Sequence, residues 1–328
     1  MTFRVLITIV LVCLWMAGVT IGGCSLGKNP QQDLFKEYRK KMEMQKTALA
    51  QEEEKHRKAS DLGAEEYERI GDQYLKQGNM DLAFIQYEKA LRTDPARIHI
   101  RYKLGRLFLE KGISEDAEKE FQEILKVNPN FALAYEGIGR ASFKAGDFSE
   151  AERNFQQSLK LKPGLWQAHH FLGVIYDRRK EFEKAVHEYR AALSIKPDDS
   201  MLFNNLGMSL FLKGDYEEAV DAFIVALKLE PSSRKIHNNL ALALCQLGRY
   251  EEALDAFKRG GDEASAHYNL GRIYMTERKY EEAMKAFEKA LEARSTFYFA
   301  AHKGLESAKA ATAATAATAA TTTSLEVW

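Results

Sequence analysis

The segment Phe203–Pro231 reads FNNLGMSLFLKGDYEEAVDAFIVALKLEP. It holds two apolar stripes, one before Gly214 and one after it. Each stripe has the spacing of one helix face: Phe203, Leu206 and Leu210 before Gly214, then Ala219, Phe223 and Ala226 after it. Gly214 and Asp215 favour a turn, and Pro231 ends the second stretch. The segment therefore predicts a hairpin of two packed helices.

This hairpin pattern recurs along the chain. Five of the six prolines occupy the same place in successive copies, 34 residues apart: Pro95, Pro129, Pro163, Pro197 and Pro231. Two further copies follow, and the first of them is four residues shorter than the others. A single hairpin cannot bury its apolar face, whereas stacked copies bury a continuous one. The sequence therefore predicts an all-α solenoid.

The period and the pattern resemble the tetratricopeptide repeat, which implies a right-handed α-solenoid of helix-turn-helix units. Seven copies are predicted, at residues 64–97, 98–131, 132–165, 166–199, 200–233, 234–263 (the shortened copy) and 264–297. Lys180 and Lys279 replace the glycine that separates the two helices in other copies, so we expect distorted turns there.

Two different segments follow the last copy. Residues 298–309 predict a capping helix that closes the end of the solenoid. Residues 310–328 form an Ala/Thr-rich, low-complexity tail without an apolar stripe, for which we expect no regular structure.

The chain begins with a signal-type segment. Arg4 precedes an uncharged run from Val5 to Ile21, and the run ends in Ile21-Gly22-Gly23-Cys24. This ending resembles the lipobox of bacterial lipoproteins. The resemblance implies that residues 1–23 are a signal peptide removed by cleavage and that Cys24 is lipidated, which anchors the protein to a membrane through acyl chains. A retained transmembrane helix and an ordinary secretory signal are the alternatives.

The residues after the cysteine suggest a location and a spacer. Ser25 and Leu26 follow Cys24, with no Asp directly beside the cysteine, and in enterobacteria-like cells this favours the periplasmic face of the outer membrane, with an inner-membrane anchor as the alternative. Residues 24–63 form a charged spacer rich in helix formers, with apolar residues at Leu34, Tyr38 and Met42. Its pattern fits a solvated helix or a flexible tether.

No pattern for catalysis or for a cofactor is apparent. Lys and Arg total 47, as do Asp and Glu, so no strongly basic face is expected and we predict no nucleic-acid partner. The sequence holds no glycine-rich phosphate loop, no zinc-type cysteine pairs and no H-E-x-x-H motif. We therefore predict a protein that is not an enzyme and that has no metal site and no cofactor.

A second stripe along the first helix of each copy faces the concave groove in tetratricopeptide proteins. Its central apolar members, Phe143, Val174, Met201, Met208, Phe211 and Leu242, are expected to form an exposed strip. Polar and cationic residues of the same surface complete the predicted partner-binding groove: Arg106, Arg140, His170, Arg178, Asn204, Asn238 and Arg272. We expect an extended or helical segment of a partner protein there. The alternative occupant is the chain's own tail or another subunit, so a homo-oligomer is possible.

The combination of these features resembles one family in particular. A lipobox, a charged spacer, seven repeats, the shortened copy GRYEEALDAFKRGGDEASAHYNLG (248–271) and the ending STFYFAAHKGLESA (295–308) resemble the TadD-type lipoproteins of the tight-adherence (Flp) pilus. The resemblance implies a scaffold for pilus assembly that acts on the secretin or on another component. The alternative is a lipoprotein scaffold for cell-wall enzymes or for another secretin, like a pilotin.

Overall fold

The computed structural model describes residues 37, 39–47, 62–294, 296 and 298–325. In these ranges the regular structure is entirely helical. After a helical segment at residues 39–47 come fifteen helices: α1 Ala64–Lys76, α2 Met80–Thr93, α3 Ile98–Glu110, α4 Ser114–Val127, α5 Ala132–Ala145, α6 Phe148–Leu161, α7 Trp166–Arg178, α8 Phe182–Ile195, α9 Ser200–Lys213, α10 Tyr216–Leu229, α11 Arg234–Gln246, α12 Tyr250–Gly260, α13 Glu263–Thr276, α14 Tyr280–Glu292 and α15 Phe299–Leu325. The chain divides into two compact units, Met1–Lys89 and Ala90–Trp328.

The first unit joins part of the predicted spacer to the first repeat. Met42 of the 39–47 segment is only 3% exposed. Lys46 Nζ lies 2.6 Å from Glu88 Oε2 of α2. Between α1 and α2, the Tyr87 hydroxyl donates to Asp72 Oδ1 at 2.6 Å. Residues 39–47 are therefore helical, and the rest of the spacer, apart from residues 37, 62 and 63, lies outside the described residues.

The second unit consists of consecutive helix-turn-helix pairs. Each first helix packs against the second helix of its own repeat and against the second helix of the preceding repeat, from α4 onward. This is the architecture of a tetratricopeptide solenoid, and it confirms the predicted fold class. The core lies between the first helices and the second helices of the repeats.

Each second helix buries one aromatic side chain at the same place in the repeat. These seven residues, which we call the anchor row, are Tyr87, Phe121, Phe155, Tyr189, Phe223, Phe257 and Phe287, and all are buried. In the fifth repeat the ring of Phe223 lies on Gly207, where an added Cβ would be 2.7 Å from Phe223 Cε1. The glycine therefore allows the two helices to approach closely, and the buried ring stabilises the hairpin.

The last helix, α15, closes the array and then continues further than expected. Ala301, Leu305 and Ala308 are buried, and a Cβ on Gly304 would be 2.7 Å from the Phe287 ring. The expectation of an irregular tail after residue 309 is wrong as far as Leu325, because the helix runs from Phe299 to Leu325. Alanine is the best helix former, which explains why an Ala-rich segment continues without an apolar stripe.

The sixth repeat shows how the solenoid accommodates a missing turn. Its second helix, α12, has 11 residues, whereas α10 has 14. Arg234 Nε donates to the carbonyl of Gly260, the last residue of α12, at 2.9 Å. Asp262 then caps α13, because its Oδ1 accepts the Ser265 amide at 2.6 Å. The shortened helix therefore ends in satisfied backbone groups, and the next repeat begins at once.

The turns between paired helices have one geometry. Gly146 is left-handed with φ 87°, and Lys180 and Arg278 take the same conformation with φ 62° and 61°. In the turn that contains Lys180, the Glu181 amide donates to the carbonyl five residues before it at 2.9 Å, as the Asp147 amide does after Gly146. The expected distortion is therefore absent, and the residue that replaces glycine in the seventh repeat is Arg278 rather than Lys279.

Within the described ranges, no helix is both long enough and apolar enough to cross a membrane. The predicted signal segment lies outside those ranges.

Candidate protein-binding groove

One side chain from each first helix of repeats two to seven occupies the same place in the repeat. Neighbouring members are 34 residues apart, except that 30 residues separate the last two. Contacts join α3 to α5, α5 to α7 and α9 to α11, and a hydrogen bond joins α7 to α9, so the first five members lie on neighbouring helices. We call this set the groove row: Arg106, Arg140, Val174, Met208, Leu242 and Arg272.

The groove row changes in character along the array. Arg106 and Arg272, at its two ends, are exposed, and Arg140 is half-buried. The three central members, Val174, Met208 and Leu242, are half-buried and pack against the core. The row therefore presents an apolar centre between cationic ends.

The cationic end in repeats two and three surrounds a buried carboxylate. Glu136 Oε1 lies 4.0 Å from Arg140 Nη1, and Arg106 Nη2 lies 3.7 Å from Glu110 Oε1. Burial raises the pKa of Glu136, and Arg140 and Arg106 oppose this rise. Lys144 donates to the carbonyl of Leu109 and so links α5 to α3. Because Arg106 is exposed and the cations outnumber the two carboxylates, this end suits an acidic group.

The aromatic members of the predicted strip are less accessible than expected. The Phe143 ring packs 5.4 Å from Phe148 and 5.1 Å from Phe171, and the Phe211 ring packs 5.6 Å from Tyr216. Both are half-buried, as are the three central members of the groove row. The strip is therefore a half-buried apolar floor rather than an exposed one, because each ring packs against an aromatic residue at the start of its own second helix.

Met201 and Asn238 have different surroundings. Met201, at the start of α9, is 45% exposed, and it is the one member of the predicted strip with a largely exposed side chain. Asn238 is half-buried, and a Cβ on Gly260 would be 2.4 Å from its Oδ1. Asn238 therefore packs against the end of the shortened helix α12.

Amide side chains connect three first helices beneath the groove row. Asn239 Nδ2 donates to Asn204 Oδ1 at 2.8 Å, Asn204 contacts Asn205 at 3.3 Å, and Asn205 Nδ2 lies 3.2 Å from His170 Nε2. Asn204 is only 5% exposed, so it supports the floor and does not face a partner directly. Burial lowers the pKa of His170, which favours its neutral form.

A further polar contact joins α7 to α9, and the sequence pattern did not predict it. Asp177 accepts hydrogen bonds from Ser209 Oγ at 2.6 Å and from the Tyr189 hydroxyl at 2.9 Å. Burial raises the pKa of Asp177. The sequence does show an acid at this place, which Phe143 and Phe211 occupy in the neighbouring repeats. The repeat pattern alone does not identify the side chains that donate hydrogen bonds to Asp177.

The remaining two arginines lie against aromatic rings. The guanidinium of Arg178 is 4.7 Å from the centroid of Phe148, and that of Arg272 is 5.9 Å from the centroid of Tyr268. Both side chains are exposed, and cation–π contacts of this kind contribute about 0.5–1 kcal/mol at exposed sites. They leave the guanidinium hydrogen-bond donors available to a ligand.

No arrangement for metal binding is found among the residues that the structure describes, where no three acidic, His or Cys side chains group together. Cys245 is buried, and burial raises the pKa of its thiol to about 12, so it stays protonated near neutral pH. It acts as a small apolar residue. Cys24, the predicted lipidation site, lies outside the described residues.

Two family models match the chain. Residues 33–267 match the family model described as Cilia and flagella-associated protein 70 C-terminal domain, and residues 264–297 match the model described as Tetratricopeptide repeat. No curated protein matches the chain.

Two solved structures illustrate the similarity. The crystal structure of MamA protein is 30% identical, with the match covering 52% of this chain and 94% of MamA at a TM-score of 0.44. A tetratricopeptide repeat protein from Parabacteroides merdae ATCC 43184 is 16% identical, with coverage of 75% and 98% and a TM-score of 0.49. Because the first family model spans more than half of the sequence, the chain belongs to the family of the cilia and flagella-associated protein 70 C-terminal domain, and it is a tetratricopeptide-repeat protein.

Proposed function

We propose that the chain is a membrane-anchored scaffold that binds a partner protein, without catalysis, during assembly of a machine of the bacterial cell envelope. The groove row is the observation that carries this proposal. It offers a half-buried apolar centre formed by three neighbouring first helices, and it has cations at both ends.

The groove row also suggests the chemistry of the bound segment. Apolar residues of the segment pack on Val174, Met208 and Leu242, and Met208 adapts to irregular shapes. An acidic residue beside them pairs with Arg106 and Arg140. Apolar contacts then supply most of the affinity, whereas the arginines set the orientation and speed the encounter.

The tight-adherence pilus is the machine that the sequence resemblance favours, with the secretin or another pilus component as partner. The lipobox-like ending at Cys24 supports an acyl anchor, and several acyl chains hold a protein firmly where one is marginal. We propose that this anchor holds the array at the periplasmic face of the outer membrane, with the inner membrane as the alternative.

Photocrosslinking in cells tests the groove. A photoreactive residue replaces Met208 in the full chain, and the same residue replaces Ile195, which is 39% exposed on a second helix, as the control. We expect the Met208 probe to capture a pilus or secretin component that the Ile195 probe does not. Capture only of the chain's own tail, or equal capture by both probes, overturns the groove proposal. Specific capture of cell-wall enzymes overturns the pilus assignment while leaving the groove.

Labelling with a clickable fatty acid tests the anchor independently. We expect the full chain to be labelled in cells and Cys24→Ser to lose both the label and the membrane fractionation. Label that persists in Cys24→Ser, or its absence from the unaltered chain while other lipoproteins are labelled, contradicts the anchor.

A further inference from the structure

Two repeats carry a histidine at the same place but differ in what surrounds it. His169 of repeat four and His237 of repeat six are 68 residues apart, which is two periods of 34. In both, Nε2 donates to the carbonyl of the proline at the end of the preceding repeat, at 3.2 Å from the Pro163 oxygen and at 3.0 Å from the Pro231 oxygen. Both rings therefore turn the same nitrogen toward the backbone, and Nδ1 is left for another partner.

The partner of Nδ1 is present in one repeat and missing in the other. His169 Nδ1 lies 2.6 Å from Glu188 Oε2. Two periods later, Ala256 takes the place of Glu188. His237 is only 7% exposed, and its Nδ1 is buried without a hydrogen-bond partner among the described residues. Because a buried polar atom in this state is unfavourable, a ligand that supplies the missing partner gains affinity.

The missing carboxylate coincides with a cavity that α10, α11 and α12 surround. Its volume is about 680 Å³, within the range of about 300–1,000 Å³ that is usual for binding pockets. His237 and Ala256 both line it, and the rest of its lining is partly apolar and partly charged. The cavity therefore gives a ligand access to the place where the acid is absent.

In repeat four, polar side chains of the chain itself occupy the corresponding space. The Tyr176 hydroxyl donates to Glu152 Oε1 at 3.0 Å, and Gln156 Nε2 donates to the same hydroxyl at 3.3 Å. Two periods later the residues at these three places are apolar, and all of them line the cavity: Leu244, Val220 and Ile224. The changes from repeat four to repeat six thus remove polar contacts and leave an apolar wall.

Two cations lie at the same end of the cavity as the histidine. Lys228 is in the last turn of α10 and Arg259 is in the last turn of α12, whereas His237 is in the first turn of α11, which runs in the opposite direction. Both cations are exposed, and they form no ion pair with any residue that the structure describes. At the other end, Glu252 already accepts from Arg249 at 2.6 Å.

We propose that this cavity binds a small aliphatic carboxylate. The carboxyl group of the ligand takes the place beside His237 Nδ1 that the Glu188 carboxyl has beside His169, and Lys228 and Arg259 offset its charge. A carboxyl group suits Nδ1 in either state of the ring, because it accepts as a carboxylate and donates as an acid. The hydrocarbon part of the ligand lies against the apolar wall.

The charges around the cavity favour a ligand with a single negative charge. The cations exceed the acids by one, since the charged lining residues are Lys228, Arg249, Arg259, Glu252 and Asp255. A dicarboxylate or a phosphate would bring more charge than these cations offset. No member of the groove row lines the cavity, so this proposal does not depend on the proposed function.

Calorimetry with a six-carbon pair of probes tests the site. Hexanoate and 1-hexanol are titrated into the full chain held in lipid nanodiscs, and the heat from empty nanodiscs is subtracted. We expect saturable binding of hexanoate and at least a tenfold lower affinity for hexanol, which lacks the carboxylate. Hexanoate that does not saturate, or equal affinities for the two probes, overturns the proposal.

A substitution that supplies the acid from the chain itself locates the site. Ala256→Glu should lower the affinity for hexanoate at least tenfold, because the new carboxylate occupies the place beside His237. Ala222→Glu is the matched control, since Ala222 has the same place in repeat five, beside Phe203 instead of a histidine. The two alanines are 5% and 6% exposed. Circular dichroism verifies that both variants fold, and equal losses of affinity overturn the proposed site.

His237→Phe tests the role of the ring nitrogen without adding a charge. Repeat five carries Phe203 at this place, so the fold accepts the ring there. We expect the variant to bind hexanol as the unaltered chain does and to lose most of the preference for hexanoate. A preference for hexanoate that persists in this variant overturns the assignment of the carboxyl group to His237.

Discussion

The anchor row and the groove row repeat with the same period, but they differ in what is repeated. Every member of the anchor row is a buried Phe or Tyr. The groove row runs Arg, Arg, Val, Met, Leu, Arg. Packing between paired helices demands a large ring at one place in every repeat, whereas the groove row faces outward and is free to vary. The constant row therefore builds the solenoid, and the variable row is the one for which we propose recognition.

The sharpest test of this division is Phe223→Ala. We expect a loss of about 3–5 kcal/mol in the free energy of unfolding, because a buried ring is replaced by a cavity. Met208→Ala, in the groove row of the same repeat, should cost less than about 1–2 kcal/mol, since its side chain is only partly buried. Urea unfolding of both variants measures the difference. Equal losses contradict the separation of the two rows.

Binding should show the reverse order. We expect Met208→Glu to weaken capture of the groove partner at least tenfold, about 1.4 kcal/mol, because a charge then lies on the apolar centre. Unfolding by urea should change little. If Met208→Glu loses stability as well as binding, Met208 contributes to the fold as the anchor row does, and the separation of the two rows is contradicted.

Arg140 tests the cationic end. Arg140→Gln should weaken partner binding several-fold, mainly through slower association, and raised salt should reduce the difference between the variant and the unaltered chain. Surface plasmon resonance with the captured partner at two salt concentrations measures both quantities. A salt-independent loss argues against an electrostatic role for this end.

Glu136, in the cationic end of the groove row, should make the free energy of unfolding depend on pH. Burial raises its pKa in the folded state, so the unfolded chain releases this proton at a lower pH than the folded chain does. The free energy of unfolding therefore falls as pH rises from about 4 through the folded-state pKa. Glu136→Gln removes this loss. We expect the variant to be more stable than the unaltered chain at pH 7 and equal to it below about pH 4, in thermal unfolding at both pH values.

The smallest expected effect concerns a turn. Lys180→Gly should stabilise the chain by about 0.5–1 kcal/mol, because relief of the left-handed conformation exceeds the added entropy of the unfolded glycine. Gly146→Lys, at the same place one repeat earlier, should destabilise it by a similar amount. Chemical denaturation of both variants checks the opposite signs. A change of the same sign in the two variants shows that the turns are not equivalent.

The fold was predictable because its determinants repeat. Seven copies of one pattern identify which residues are buried, and a ring above a glycine recurs often enough to be recognised. The continuation of α15 was not predictable, because its last residues form no apolar stripe. The high helix propensity of alanine sustains the helix there. The turn at Lys180 also depends on its neighbours, because the surrounding backbone hydrogen bonds impose the conformation.

The groove was predictable only in outline. Periodicity places Arg106, Val174 and Met208 on one face, and the structure brings their helices together. It does not reveal how far each side chain protrudes. The burial of Phe143 depends on a ring from the next helix, and that of Asn204 on an amide 35 residues away. The first contact lies within one repeat and the second joins two repeats, and the periodicity alone identifies neither pair.

The length of α12 has a consequence for how this chain tolerates deletions. Four residues amount to about 400° of helix rotation, so their loss returns the remaining side chains to within about 40° of their former direction. Removal of a single residue from α10 would rotate everything after it by about 100° and turn Ala226 away from the core. Changes in chain length within these helices are therefore tolerated in steps of a full turn, and the sixth repeat is an instance of one such step.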